Sequence, residues 1–199
     1  QNLQNGKWQR GMAKGLFGRR LGLYGYGRIA KQVADYAEAF KMQVEWWGSD
    51  QGRARPKADG RAVAKSRATF FAKNDIVSVH LRLTASTKGV ITAADLGKMK
   101  PDSLFVNTSR SGLLGSGVLL NALNSGQPGK AAVDVFDKEP ITWQRDELAC
   151  HPHIIATPHI GFVTDEEFEM QFSEVFEQVR SWVCGRPVNM LNPDIWQVT

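Results

Sequence analysis

Leu21-Gly22-Leu23-Tyr24-Gly25-Tyr26-Gly27-Arg28-Ile29-Ala30 is a short apolar run that breaks at two glycines and passes into a helical pattern. Arg20–Tyr24 reads as a strand. Beyond the turn, Ile29, Val33, Tyr36, Ala37 and Phe40 recur at three- and four-residue spacing, the signature of an amphipathic helix over 29–40. Between the two stands G-x-G-x-x-A. The first glycine permits a tight turn, the second lets backbone amides approach a pyrophosphate, and the small third residue lets the helix pack closely on the strand. The start of the helix adds amides and the positive end of a dipole. Glycine turns alone are common, but one with a strand before and a helix after predicts dinucleotide binding.

Working outward, strand-length apolar runs follow at Gln43–Trp47, 76–81, 103–107, 130–135 and Ile154–Ala156, with helical candidates at 92–98 and 115–124. Strands alternating with helices imply a parallel sheet covered on both faces, and near-continuous apolar strands agree with burial on both sides. The expected fold is therefore α/β, a doubly wound parallel sheet over 19–163. Residues 1–18 form no unit of their own. Thr164 and Glu167 read as a capping box. It opens a long helix whose Phe168, Phe172, Val175, Phe176, Val179, Trp182 and Val183 make a wide apolar face, so 164–199 is expected to stand apart from the sheet.

The 199 residues are 42% hydrophobic and 23% charged, an ordinary globular composition. No apolar run has the length of a membrane span, and the first thirty residues hold no apolar core of a secretory leader. Cys150 and Cys184 are the two cysteines and have no metal-site spacing; with the missing leader they point to reduced thiols and a cytoplasmic protein. The net charge of +5 is uneven, with 21 basic and 8 acidic side chains in residues 1–133 against 4 and 12 in 134–199. A basic first part suits a phosphate-bearing partner. The glycine turn accounts for it with a dinucleotide, and no nucleic-acid motif is present.

The acidic partner of the adenosine ribose belongs at the end of the second strand. Asp50 lies 20 residues after Ala30, but the strand itself ends at Trp47 and Gly48, with Arg53 and Arg55 close behind. An acid favours NAD, whereas glycine with arginines favours NADP. Asp50 tilts the expectation to NAD and leaves NADP open.

Three later segments carry chemistry just past strand ends, where open α/β sheets bind ligands: Val106-Asn107-Thr108-Ser109-Arg110, Asp134-Val135-Phe136-Asp137-Lys138-Glu139-Pro140 and Thr157-Pro158-His159-Ile160-Gly161. An arginine holds a carboxylate with two parallel hydrogen bonds. A histidine exchanges a hydroxyl proton during hydride transfer, and a neighbouring carboxylate orients such an imidazole and favours its charged form. His80 also ends a strand facing the cleft, while His151 and His153 read as structural.

These signatures, with Asp75-Ile76-Val77-Ser78-Val79-His80-Leu81 and Met99-Lys100-Pro101, resemble in order and spacing the D-isomer-specific 2-hydroxyacid dehydrogenase family. The resemblance implies a Rossmann fold and hydride transfer between a nicotinamide and a 2-hydroxy or 2-oxo acid. It implies Arg110, Glu139 and His159 as the catalytic set. Cofactor contacts would come from Gly25, Gly27, Arg28, Ile29, Asp50, His80, Thr87, Thr108, Asp134 and Gly161, with no metal, no nucleic acid and no membrane, and with homodimers formed through the cofactor domain. The chain departs from the family at Ser111, where a glycine is usual, at Leu114-Gly115-Ser116, where Val-Asp-Glu is usual, and at Ala30 in place of the third glycine. The resemblance also implies a substrate domain of which only remnants stand at the two ends. A non-catalytic NAD(P)-binding or partner-binding module is the alternative that this implies.

Overall fold

The computed structural model describes residues 5, 6, 8 and 13–195, the side chain of Trp143 apart, so the expected 1–18 segment lies partly outside the described residues. Six strands, β1 (Arg20–Tyr24), β2 (Gln43–Trp47), β3 (Ile76–Val79), β4 (Leu104–Asn107), β5 (Lys130–Val133) and β6 (Ile154–Ala156), form one sheet in the order β2-β1-β3-β4-β5-β6. Every pairing is parallel. A single parallel bridge from Trp46 to Val63 adds to the sheet at β2. The chain leaves β1 toward β2 on one side and returns to β3 on the other. The crossover reverses at β1, and its carboxyl end is the switch point where a doubly wound sheet binds its ligand.

Helix α1 (Arg28–Ala39) buries Ala30, Ala34 and Ala37 against Leu21, Leu23 and Trp46. This corrects the stripe read from the sequence. Ile29, Tyr36 and Phe40 are exposed, because the small residues are the ones that permit close helix–strand contact. Helices α2 (Asp50–Ala58) and α3 (Arg67–Lys73) were not expected. Ser49 and Ser66 cap them through their hydroxyls, and α3 sets Phe70 and Phe71 wholly inside the other core, with Val77, Val79 and Phe105. Short helices α4 (Ala93–Leu96) and α5 (Val118–Asn124) complete the layers. Arg67 pairs with both carboxylate oxygens of Asp95 at 2.7 Å, and so joins α3 to α4.

The chain divides into two compact units, Gln1–His159 and Ile160–Thr199. In the second, helix α6 (Asp165–Val183) has no buried residue, and Phe172, Phe176 and Trp182 are exposed. Its expected capping box is half formed. The Thr164 hydroxyl accepts from the Glu167 amide, but the Glu167 carboxylate accepts from Gln171 Nε2 at 2.6 Å, one helical turn on. Among the described residues no helix is long and apolar enough to cross a membrane, and no cluster of ligating side chains could hold a metal.

Candidate active site

The glycine turn sits at the switch point between two strand ends. Gly25 donates to the Trp47 carbonyl of β2 at 2.9 Å, and His80, just past β3, donates to the Tyr24 carbonyl at 2.9 Å. Gly25 has φ 112°, and a Cβ there would lie 2.3 Å from the His80 carbonyl oxygen. Only glycine fits on both counts. At Gly27 a Cβ would meet nothing within 4 Å, so that position opens toward the cleft. Gly27 caps α1 without a side-chain bond, and the first turn of the helix holds no acid. Its leading amides therefore suit a pyrophosphate. The residues present fit a dinucleotide.

The remaining expected cofactor positions of the first unit follow the ends of its strands. His80 is half-buried, its Nε2 is 2.9 Å from the Ser78 hydroxyl, and burial pushes its pKa down, which favours the neutral ring. Thr87 donates to the Arg82 carbonyl at 2.7 Å and accepts from the Thr84 amide at 2.8 Å, which organises the loop after β3. Thr108 is exposed directly beyond β4. Asp134 is buried beyond β5 and accepts from the Thr157 hydroxyl at the end of β6. Asp50 opens α2 with its side chain 94% exposed and ion-paired to Arg53, so it stands one turn away from the strand end. Gly161 falls in the second unit.

The catalytic candidates come together across β4, β5 and β6. His159 Nδ1 lies 2.6 Å from Glu139 Oε2, although twenty residues separate them. The other oxygen of Glu139 accepts from the Phe136 amide at 2.8 Å, which fixes the carboxylate. The hydrogen bond to His159 comes first, then the Phe136 amide, and with the charges of His159 and Arg110 they hold the Glu139 carboxyl below its usual range. Arg110 therefore stands close enough for its charge to be felt at Glu139. His159 has φ 56°, a left-handed conformation uncommon outside glycine.

One contributor was not singled out in the sequence. Asn107 is buried at the end of β4; its Oδ1 accepts from the Ser109 amide and its Nδ2 donates to the Arg110 carbonyl, both at 3.0 Å. The Ser109 hydroxyl then donates to the Val79 carbonyl at 2.7 Å. The loop that carries Arg110 is thereby tied to two strands. A buried asparagine at a strand end before Thr-Ser-Arg was the available signal, because such a residue requires partners.

Comparison with known proteins identifies the family. Residues 1–161 match the family model described as D-isomer specific 2-hydroxyacid dehydrogenase, NAD binding domain. Hydroxypyruvate reductase of Thermotoga maritima is 35% identical over 181 residues, covering 89% of this chain and 58% of that protein. D-3-phosphoglycerate dehydrogenase of Bacillus subtilis is 33% identical over 189 residues, 94% of this chain and 35% of that one. The chain thus spans roughly a third to three-fifths of the length of the curated relatives it matches. Among solved structures, phosphoglycerate oxidoreductase of Vibrio cholerae superposes with a TM-score of 0.86 at 39% identity, covering 92% of this chain and 59% of that one. A chain from Ralstonia solanacearum, described as a D-3-phosphoglycerate dehydrogenase oxidoreductase, reaches 0.91 at 42% identity, covering 96% and 60%. With its parallel sheet, its glycine turn and the match over residues 1–161, this chain belongs to the D-isomer specific 2-hydroxyacid dehydrogenase family and carries that family's NAD-binding domain.

Proposed function

We propose that this chain supplies the cofactor domain and the catalytic side chains of an oxidoreductase that interconverts a 2-hydroxy acid and its 2-oxo acid. The observation that carries this reading is the 2.6 Å contact between His159 and Glu139, at the strand ends that also present Arg110. Arg110 anchors the substrate carboxylate and polarises the carbonyl through its guanidinium fork. With Nδ1 engaged by Glu139, His159 exchanges the hydroxyl proton through Nε2, and Glu139 keeps the ring aligned while the imidazolium forms. A bound nicotinamide supplies or takes up the hydride. Gly25, Gly27, Arg28 and Ile29 hold its pyrophosphate, and Asp134 faces its amide. Thr87 and Thr108 complete the cofactor contacts of the first unit.

The same reading makes the protein a cytoplasmic homodimer and assigns residues 164–199 to a substrate domain. The reading is tested by mixing the protein with NADH or NADPH and a panel of small 2-oxo acids, glyoxylate and hydroxypyruvate among them, and following oxidation of the cofactor. Turnover of at least one acid supports it. Cofactor binding without any turnover favours a non-catalytic module, the reading suggested by the altered loop at Ser111 and Leu114-Gly115-Ser116.

A further inference from the structure

Given a dinucleotide in this cleft, which rests on the reading above, the end of β2 selects its form. We propose that the protein prefers NADP(H) to NAD(H), with Arg53 and Ser49 holding the 2′-phosphate of the adenosine ribose. The Gly25 amide is tied to the Trp47 carbonyl, so a ribose next to the pyrophosphate meets the residues that follow Trp47. Those residues are Gly48 and Ser49. Selection for NAD needs a carboxylate there, to accept from the ribose hydroxyls and to repel a 2′-phosphate.

Two of the neighbouring carboxylates are engaged elsewhere, and the third lies on the solvent side of Arg53. Glu45 is buried two strand positions earlier, bonded to Asn74 and Arg20. Asp59 pairs with Lys31 and the Tyr26 hydroxyl. Asp50 is turned to solvent and pairs with Arg53.

The strand end holds a cation instead. The Arg53 guanidinium carbon sits 4.2 Å above the Trp47 ring, and its Nη1 donates to the Gly48 carbonyl at 3.1 Å. Stacked and bonded in this way, the guanidinium is parked beside the ribose position with little freedom left to lose on binding. Its planar fork matches a phosphate, which can displace the solvent-exposed carboxylate of Asp50. The Ser49 hydroxyl accepts from the Gly52 amide at 3.1 Å, which leaves its own proton to give to a phosphate oxygen. The place for an acid is sterically available. A Cβ on Gly48 would come no closer than 3.8 Å to the Gly52 backbone, so an aspartate fits there and its absence leaves room for the phosphate.

The test is titration of the 199-residue chain with NADPH and with NADH at one fixed salt concentration, read by ligand fluorescence or calorimetry. NADPH is expected to bind at least about tenfold more tightly, a charge-assisted fork being the difference. Arg53→Ala is expected to remove most of that preference while NADH affinity stays the same, and Gly48→Asp to reverse it. NADH binding as tightly as NADPH overturns the proposal and leaves the dinucleotide reading intact. Equal losses for both cofactors in Arg53→Ala would reduce Arg53 to a structural role and overturn its assignment. Binding of neither cofactor removes the underlying reading as well.

Discussion

His159 Nδ1 and Glu139 Oε2 meet at 2.6 Å, bringing together the loops after β6 and β5, with the histidine backbone in a left-handed conformation. A carboxylate so placed, itself fixed by the Phe136 amide, sets the direction of the imidazole and compensates the charge it gains. Glu139→Gln keeps the shape but removes the charge. It is expected to lower kcat by roughly ten- to a hundredfold, less than the hundredfold or more that loss of the acid–base group itself costs, with cofactor affinity unchanged; steady-state kinetics beside a binding titration checks this.

The Asn107 bonds to Ser109 and Arg110 predict a different kinetic pattern. Asn107→Ala releases the loop that aims Arg110 and removes two part-buried hydrogen bonds, at a cost of about 1 kcal/mol in stability. With Arg110 as the proposed carboxylate anchor, the expected signature is a raised KM for the 2-oxo acid, with unaltered cofactor affinity. Asn107→Asp, which keeps the acceptor and loses the donor, should fall between the two.

Gly25 separates binding from folding. Gly25→Ala places a methyl group 2.3 Å from the His80 carbonyl at φ 112°, so β1 and β3 must part at the switch point. Dinucleotide binding should be lost. Gly129→Ala clashes comparably with Pro101, 1.8 Å from its carbonyl oxygen, but does so at the opposite end of the sheet. It should cost about 2 kcal/mol or more by overpacking, while protein that remains folded still binds cofactor. Thermal melts with and without cofactor distinguish the two.

The Arg67–Asp95 pair predicts an acid limit. Burial alone would raise the Asp95 pKa, but the hydrogen bonds from Arg67 and Thr92 outweigh it and the net shift is downward. A carboxylate with a depressed folded pKa stabilises the fold above its unfolded value, near pH 4, and loses that contribution as pH falls through the folded value. Asp95→Asn should therefore unfold more easily at neutral pH, by about 1–3 kcal/mol, and show a flatter stability profile below about pH 4. Denaturant melts across that range give the measurement.

The sheet was legible because its strands are mostly apolar; β1 (RLGLY) carries one polar residue at its start, and β2 (QVEWW) ends on two tryptophans. Helices α2 and α3 escaped notice for a physical reason. The stretch DQGRARPKA buries only Pro56, and RATFFAK buries only its two phenylalanines, so neither shows a periodic face. The face of α1 was misread because its larger apolar residues stand outside and alanines make the contact. Arg110, Glu139 and His159 could be named from their motifs, but parallel pairing of β4, β5 and β6 is what sets the loops that carry them past adjacent strand ends. The role of Asn107 depends on loop geometry that spacing does not encode.

The most direct measurement is the rate at which the protein oxidises its reduced nicotinamide cofactor with a 2-oxo acid, wild type against His159→Asn, each shown by titration to bind cofactor equally. The account predicts a fall of about a hundred- to ten-thousandfold, the loss of the proton exchanged at that position. Turnover of the variant within a few-fold of wild type would contradict it.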